Sequence, residues 1–158
     1  MCDFGTAKQY CKSRNRNRRP SSDSSHGGTI PYMAPELFVE DLRDSYHLRS
    51  RADVYAGGVV FVAMVTQNCP YEWNNTWSKN KPFRGSAFQI AVRDKGLRPN
   101  LPSCVPEEYR KCTEDSLVRS PKSRPFFKDL AERFRKLHEK LLFLKDHHLS
   151  KKKNTSQE

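Results

Sequence analysis

Gly28-Thr29-Ile30-Pro31-Tyr32-Met33-Ala34-Pro35-Glu36, followed by Asp53-Val54-Tyr55-Ala56-Gly57-Gly58, is the pair of stretches whose reading decides the fold. Pro31 and Pro35 punctuate the first. Ala34 to Val39 reads as the beginning of a short helix with Pro35 in its first turn, where an absent N–H leaves nothing unsatisfied. The second stretch opens the most apolar part of the chain, Asp53 to Thr66. Within it, Val59-Val60-Phe61-Val62 has the β-branched character of a buried strand, whereas the overall length and an Asp53 N-cap argue for a helix. Periodicity alone leaves both open. The apolar run from Val54 to Val65 is too short to cross a bilayer.

Further along, Cys69 to Gly85 is loop-like, and Ser86 to Lys95 predicts a short helix through Phe88, Ile90, Ala91 and Val92, ending at Gly96. Leu97 to Pro106 carries three prolines and reads as extended. Glu107 to Val118 predicts a helix, and Pro125 opens the last one. There Phe127, Leu130, Phe134, Leu137, Leu141 and Leu144 recur at spacings of 3, 4, 3, 4 and 3, a heptad seam. On the other side, Met1-Cys2-Asp3-Phe4-Gly5 leads into a polar, basic, Ser-rich stretch through Gly28 that reads as a long loop.

The net charge of +11 is concentrated in two places. Lys8 to Arg19 holds six basic residues and no acid, Lys128 to Lys153 holds nine basic and four acidic residues, and the rest of the chain balances. A nucleic-acid-binding domain would carry a basic stripe interleaved with aromatics across its fold, so this distribution argues against a nucleic-acid partner and for local electrostatic roles. Aromatics at 11% exclude disorder throughout, although the mean hydropathy is −0.87. Five cysteines with no CxxC pair argue against a zinc site. No signal-peptide pattern opens the chain, which predicts a cytoplasmic protein with no membrane association, or a nuclear one if the basic loop acts as a localisation patch.

Asp3-Phe4-Gly5 is a weak tripeptide alone, and by itself Asp3 reads as a turn carboxylate. Taken in order with the Gly28–Glu36 and Asp53–Gly58 stretches, it resembles the second half of a eukaryotic protein kinase domain: DFG, an activation segment ending in APE, then D-x-[WY]-x-x-G. Gly96-Leu97-Arg98-Pro99-Asn100-Leu101-Pro102 and Pro121-Lys122-Ser123-Arg124-Pro125 are similar to elements of the tyrosine-kinase-like group of Ser/Thr kinases. The resemblance implies a mostly α fold, an incomplete C-terminal lobe with a long activation loop at the N-terminus. It covers 1–137 as a partial kinase domain, with 138–158 as a helix extension and basic polar tail.

The roles implied by the resemblance fall on particular residues. Asp3 would hold the Mg²⁺ that bridges ATP phosphate oxygens, a task for a hard oxygen ligand, with Phe4 and Gly5 setting its position. Thr29 would shape the substrate hydroxyl pocket; it stands where tyrosine kinases place a proline, which implies Ser/Thr specificity. Taken alone, Thr29 reads as a cap or loop residue. Glu36 would pair with Arg124, and Asp53 would cap its helix and receive backbone amides of the catalytic loop. ATP and Mg²⁺ are the expected cofactors of the complete kinase, and protein substrates and an upstream kinase its expected partners.

The sequence departs from the family in several places. The Gly-rich loop, the β3 Lys, the αC Glu and H-R-D-x-x-x-x-N precede DFG in kinases and do not occur among these 158 residues. The expectation is therefore a lobe fragment that phosphorylates nothing by itself and exposes the apolar surface its missing half would cover. The alternative is a non-catalytic, kinase-like binding or scaffold module. Ser116-Leu117 stands where related kinases carry Cys-Trp. Ser21, Ser22, Ser24 and Ser25 follow a block of arginines and are candidate phosphosites, the bland alternative being a disordered basic insertion. Leu141 and Leu144 lie past the resemblance; the favoured expectation is that they fold back on the lobe, and the alternative is a helix-mediated contact with a partner or a second copy.

Overall fold

The computed structural model describes residues 29–39, 46–72, 76–77, 83 and 86–155, with backbone alone at 46–49, 146 and 148–155. Asp3, Phe4, Gly5 and the four candidate serines therefore lie outside the described residues. The described chain holds two 3-10 turns, Ile30–Tyr32 and Pro35–Phe38, then α1 (Tyr46–Thr66), α2 (Ser86–Arg93), α3 (Glu107–Ser116), a third 3-10 turn, Pro121–Ser123, and α4 (Phe127–Thr155). No strand occurs among the described residues, so the expected mostly α lobe is what forms.

Helix α1 is the centre, and its apolar residues lie almost all round, as a helix covered by neighbours requires. One side, Ala52, Tyr55, Val59 and Val62, packs with Ala34 and Leu117; another, Val54 with half-buried Phe61, packs on Cys112, Leu130 and Phe134. The strand reading of Val59–Val62 gives way to a helix because its neighbours supply packing on several faces. The helix also starts earlier than expected. Asp53 lies inside it rather than at its N-cap, so the capping role read for Asp53 is overturned.

Gly58 lets α1 meet the end of α3, since a Cβ there would stand 2.8 Å from the Ser116 Cβ and 3.1 Å from two Leu117 carbons. Phe88 of α2 is buried under three edge-on rings, Tyr71, Trp77 and Phe83, with centroids 5.1–5.2 Å away. Part of the segment read only as a loop thus supplies core. Helix α2 ends at Arg93, short of the expected Lys95, and Gly96, read as its stop, has a φ of +69° that turns the chain so that the Leu97 N–H reaches the Ala91 oxygen at 2.9 Å.

On α4, Leu130 and Leu137 are buried and Phe134 is half-buried in edge-on contact with Phe61 and Tyr109. The seam then separates from the lobe: Leu141 and Leu144 are both 45% exposed. The fold-back expectation fails because α3, the helix against which this side of α4 packs, begins only at Glu107, level with Lys140.

Candidate functional site

Arg124 is 2% exposed and uses every N–H of its guanidinium. Two bonds run to the Glu36 carboxylate, at 2.6 Å to Oε1 and 2.8 Å to Oε2. The other three reach backbone oxygens: Arg51 at 2.9 Å, Val118 at 3.0 Å and Arg119 at 3.2 Å. Five donors in a planar fork are what a buried cation needs to recover its lost hydration, and lysine could not reproduce the geometry. The pairing expected of Glu36 and Arg124 is therefore formed, and it pins the turn after Ala34 against α1 and the loop before α4.

The Tyr55 ring lies between two cations, with the Arg124 Cζ 5.0 Å and the Arg98 Cζ 5.3 Å from its centroid. Its hydroxyl meets the Tyr71 hydroxyl at 3.0 Å. Burial pushes both phenols up, and Tyr71 is pushed beyond the ordinary alkaline range, with Tyr55 adding to the shift. Tyr71 holds this place with φ at +70°, a conformation that costs a non-glycine residue on the order of 1–2 kcal/mol. Arg98 binds the oxygens of Leu117, Val92 and Leu97 at 2.7–2.9 Å, so the G-x-R-P arginine ties the end of α2 to the end of α3.

Thr29 precedes the Ile30–Tyr32 turn. Its backbone oxygen accepts the Tyr32 N–H at 2.9 Å, while its exposed side chain makes no cap hydrogen bond. Asp53 has no hydrogen-bond or ion-pair partner among the described residues, and partial burial pushes its carboxyl up although the side chain stays open to solvent. Asp53, Gly57, Val60 and Met64 share one stripe of α1, with Val60 41% and Met64 61% exposed. The structure thus brings Glu36 and Arg124 together and leaves Thr29 and Asp53 apart from them, both open to solvent. The Arg51–Arg124 exchange and the Tyr55 cation stack are absent from the sequence reading; an arginine next to an apolar helix was their only trace.

A central helix held to an A-P-E turn by a buried Glu–Arg pair makes the described residues a helical lobe built around that turn. The sequence pattern of the protein kinase domain matches residues 1–134, and the chain belongs to that family. Two probable LIM domain-containing serine/threonine-protein kinases of Dictyostelium discoideum are 32% and 35% identical over 89% of the chain, which spans 12% and 18% of their lengths. A mitogen-activated protein kinase kinase kinase 12 of Rattus norvegicus is 26% identical over 82% of the chain and 12% of its own length. The chain thus spans less than a fifth of each of these relatives.

Proposed function

We propose that this chain supplies the helical lobe of a Ser/Thr protein kinase of the tyrosine-kinase-like group, which transfers the γ-phosphate of ATP to Ser or Thr of protein substrates. The observation that carries this reading is the open α1 stripe, where Asp53, without a partner among the described residues, stands beside exposed Val60 and Met64. An exposed carboxylate on an apolar stripe is free to accept hydrogen bonds, and a catalytic loop laid on this stripe would bring backbone amides to it. Asp3 would hold Mg²⁺ against ATP, whose contribution is a polarised phosphoryl group. Thr29 would face the substrate hydroxyl. That oxygen forms the new P–O bond, the β–γ bridge breaks, ADP leaves, and the hydroxyl proton goes to an acid–base group that these residues do not contain. On this reading the 158 residues alone would transfer no phosphate. Phosphates at Ser21, Ser22, Ser24 or Ser25 would draw toward Arg14 to Arg19 and order that loop.

The test is immunoprecipitation from source cells with an antibody against residues 148–158, followed by sizing and a Mg²⁺–ATP transfer assay. A species well above 18.4 kDa that phosphorylates Ser or Thr, and loses this on Asp3→Asn, supports the enzyme. An 18.4 kDa species alone, without transfer, leaves the scaffold-module reading in its place.

A further inference from the structure

The packing of α3 on α4 shows, within this molecule, what chemistry covers α4. Helix α3 turns carboxylates toward a basic neighbour: Glu108 accepts from the Lys140 ammonium, and Asp115 accepts from Arg133 at 2.7 Å. These cross-helix pairs bound a groove of about 600 Å³ whose lining includes Cys112 and Leu137. Burial would raise the Asp115 carboxyl, but hydrogen bonds from Lys111 and Arg133 outweigh it and hold the group below the usual range. The two helices are unequal in length. Helix α3 begins at Glu107, level with Lys140, and α4 continues to Thr155.

The next residues are large and uncovered. Leu141, Leu142, Phe143 and Leu144 are 45%, 46%, 70% and 45% exposed. Consecutive residues lie about 100° apart on a helix, so these four surround it. A second copy would bring two chains of net charge +11 together. Exposed Lys145 has no hydrogen-bond or ion-pair partner among the described residues. We propose that α4 beyond Lys140 docks an acidic amphipathic helix of a partner protein, which continues the line of α3 with apolar side chains on Leu141 and Leu144 and carboxylates toward Lys145. The proposal stands independently of the kinase reading.

The experiment titrates the full chain into two labelled synthetic helical peptides, one with leucines at i, i+3, i+4 and i+7 and glutamate between them, the other with lysine in place of glutamate. The glutamate peptide is expected to bind, more tightly at low salt, and the lysine twin at least about tenfold more weakly. Leu141→Asp with Leu144→Asp should weaken binding by about tenfold or more while the melting temperature stays put. Lys145→Glu, which leaves every described apolar contact intact, should weaken it severalfold. Equal binding of both peptides, binding of neither, or undiminished binding by the double variant overturns the proposal. So does capture by phosphatidylserine vesicles, or sedimentation as a dimer, that replaces peptide binding and is lost in the double variant.

Discussion

Arg51 and Arg124 each donate a guanidinium hydrogen bond to the other's carbonyl oxygen. The exchange fixes the first half of α1 against the loop before α4, and the Arg51 guanidinium also stacks 3.6 Å above the exposed Phe126 ring. One end of the Glu36–Arg124 pair is therefore held by backbone that its own residues help to hold. Removing a partner from a buried pair costs more than the pair contributes, because the survivor is left desolvated.

For that reason Arg124→Met is expected to destabilise the lobe by about 3–5 kcal/mol in urea titration. Glu36→Leu combined with Arg124→Met should be less damaging than Arg124→Met alone. A single substitution costing under about 1 kcal/mol would mean that the pair is solvated in solution.

Neighbouring glycines in α1 should respond in opposite ways. Gly58→Ala drives a methyl into the Ser116 Cβ and is expected to cost about 1–3 kcal/mol. At Gly57 only the half-exposed Phe127 ring, 3.3 Å away, must yield, while alanine gains about 1 kcal/mol in helix propensity. Gly57→Ala is therefore expected to be near neutral or stabilising. Equal losses at the two positions in thermal unfolding would show that α1 and α3 do not pack this closely.

Alkaline pH should weaken the lobe through Tyr55 and Tyr71, whose phenols burial raises. Their stabilisation is complete below about pH 10, where folded and unfolded phenols alike keep their protons. Above it the unfolded phenols ionise and the folded ones do not, so stability falls as pH rises, by up to about 1.4 kcal/mol per pH unit for each tyrosine. Tyr71→Phe should remove one phenol's share of that slope while costing on the order of 1 kcal/mol at neutral pH through the lost hydroxyl pair. An unchanged slope would locate the alkaline loss elsewhere.

The α1 stripe predicts behaviour in solution. Val60→Lys with Met64→Glu should cut binding of a hydrophobic dye and raise soluble yield, with stability moving by no more than about 0.5 kcal/mol. A large loss of stability would mean that these side chains are covered within the chain.

Local signals were enough for the turn at Gly96, and motif order for the Glu36–Arg124 pairing, whereas periodicity left the central segment open between helix and strand and only the resemblance made it a helix. Asp53 was misplaced because a carboxylate ahead of an apolar run looks like a cap, and the preceding turns of α1 are polar. Tyr71, Trp77 and Phe83 were read as loop because their burial depends on Phe88, a contact that no periodicity encodes. Leu141 and Leu144 keep the heptad spacing of Leu130 and Leu137 but not their burial, since spacing says which side a residue faces and nothing about what stands opposite.

Helix α4 is fastened to the lobe along its first turns only, which makes its far end a helix–coil system of its own. From His138 to Thr155 it spans about 18 residues, little beyond the roughly 12–15 at which an isolated helix becomes marginal in water. Helical order there is cheap to lose and cheap to restore, so amide hydrogen exchange beyond Leu137 should run orders of magnitude faster than at Leu130 until something is bound. Occupancy of that segment would then register as a local gain of helix, while unfolding of the lobe proceeds at its own midpoint.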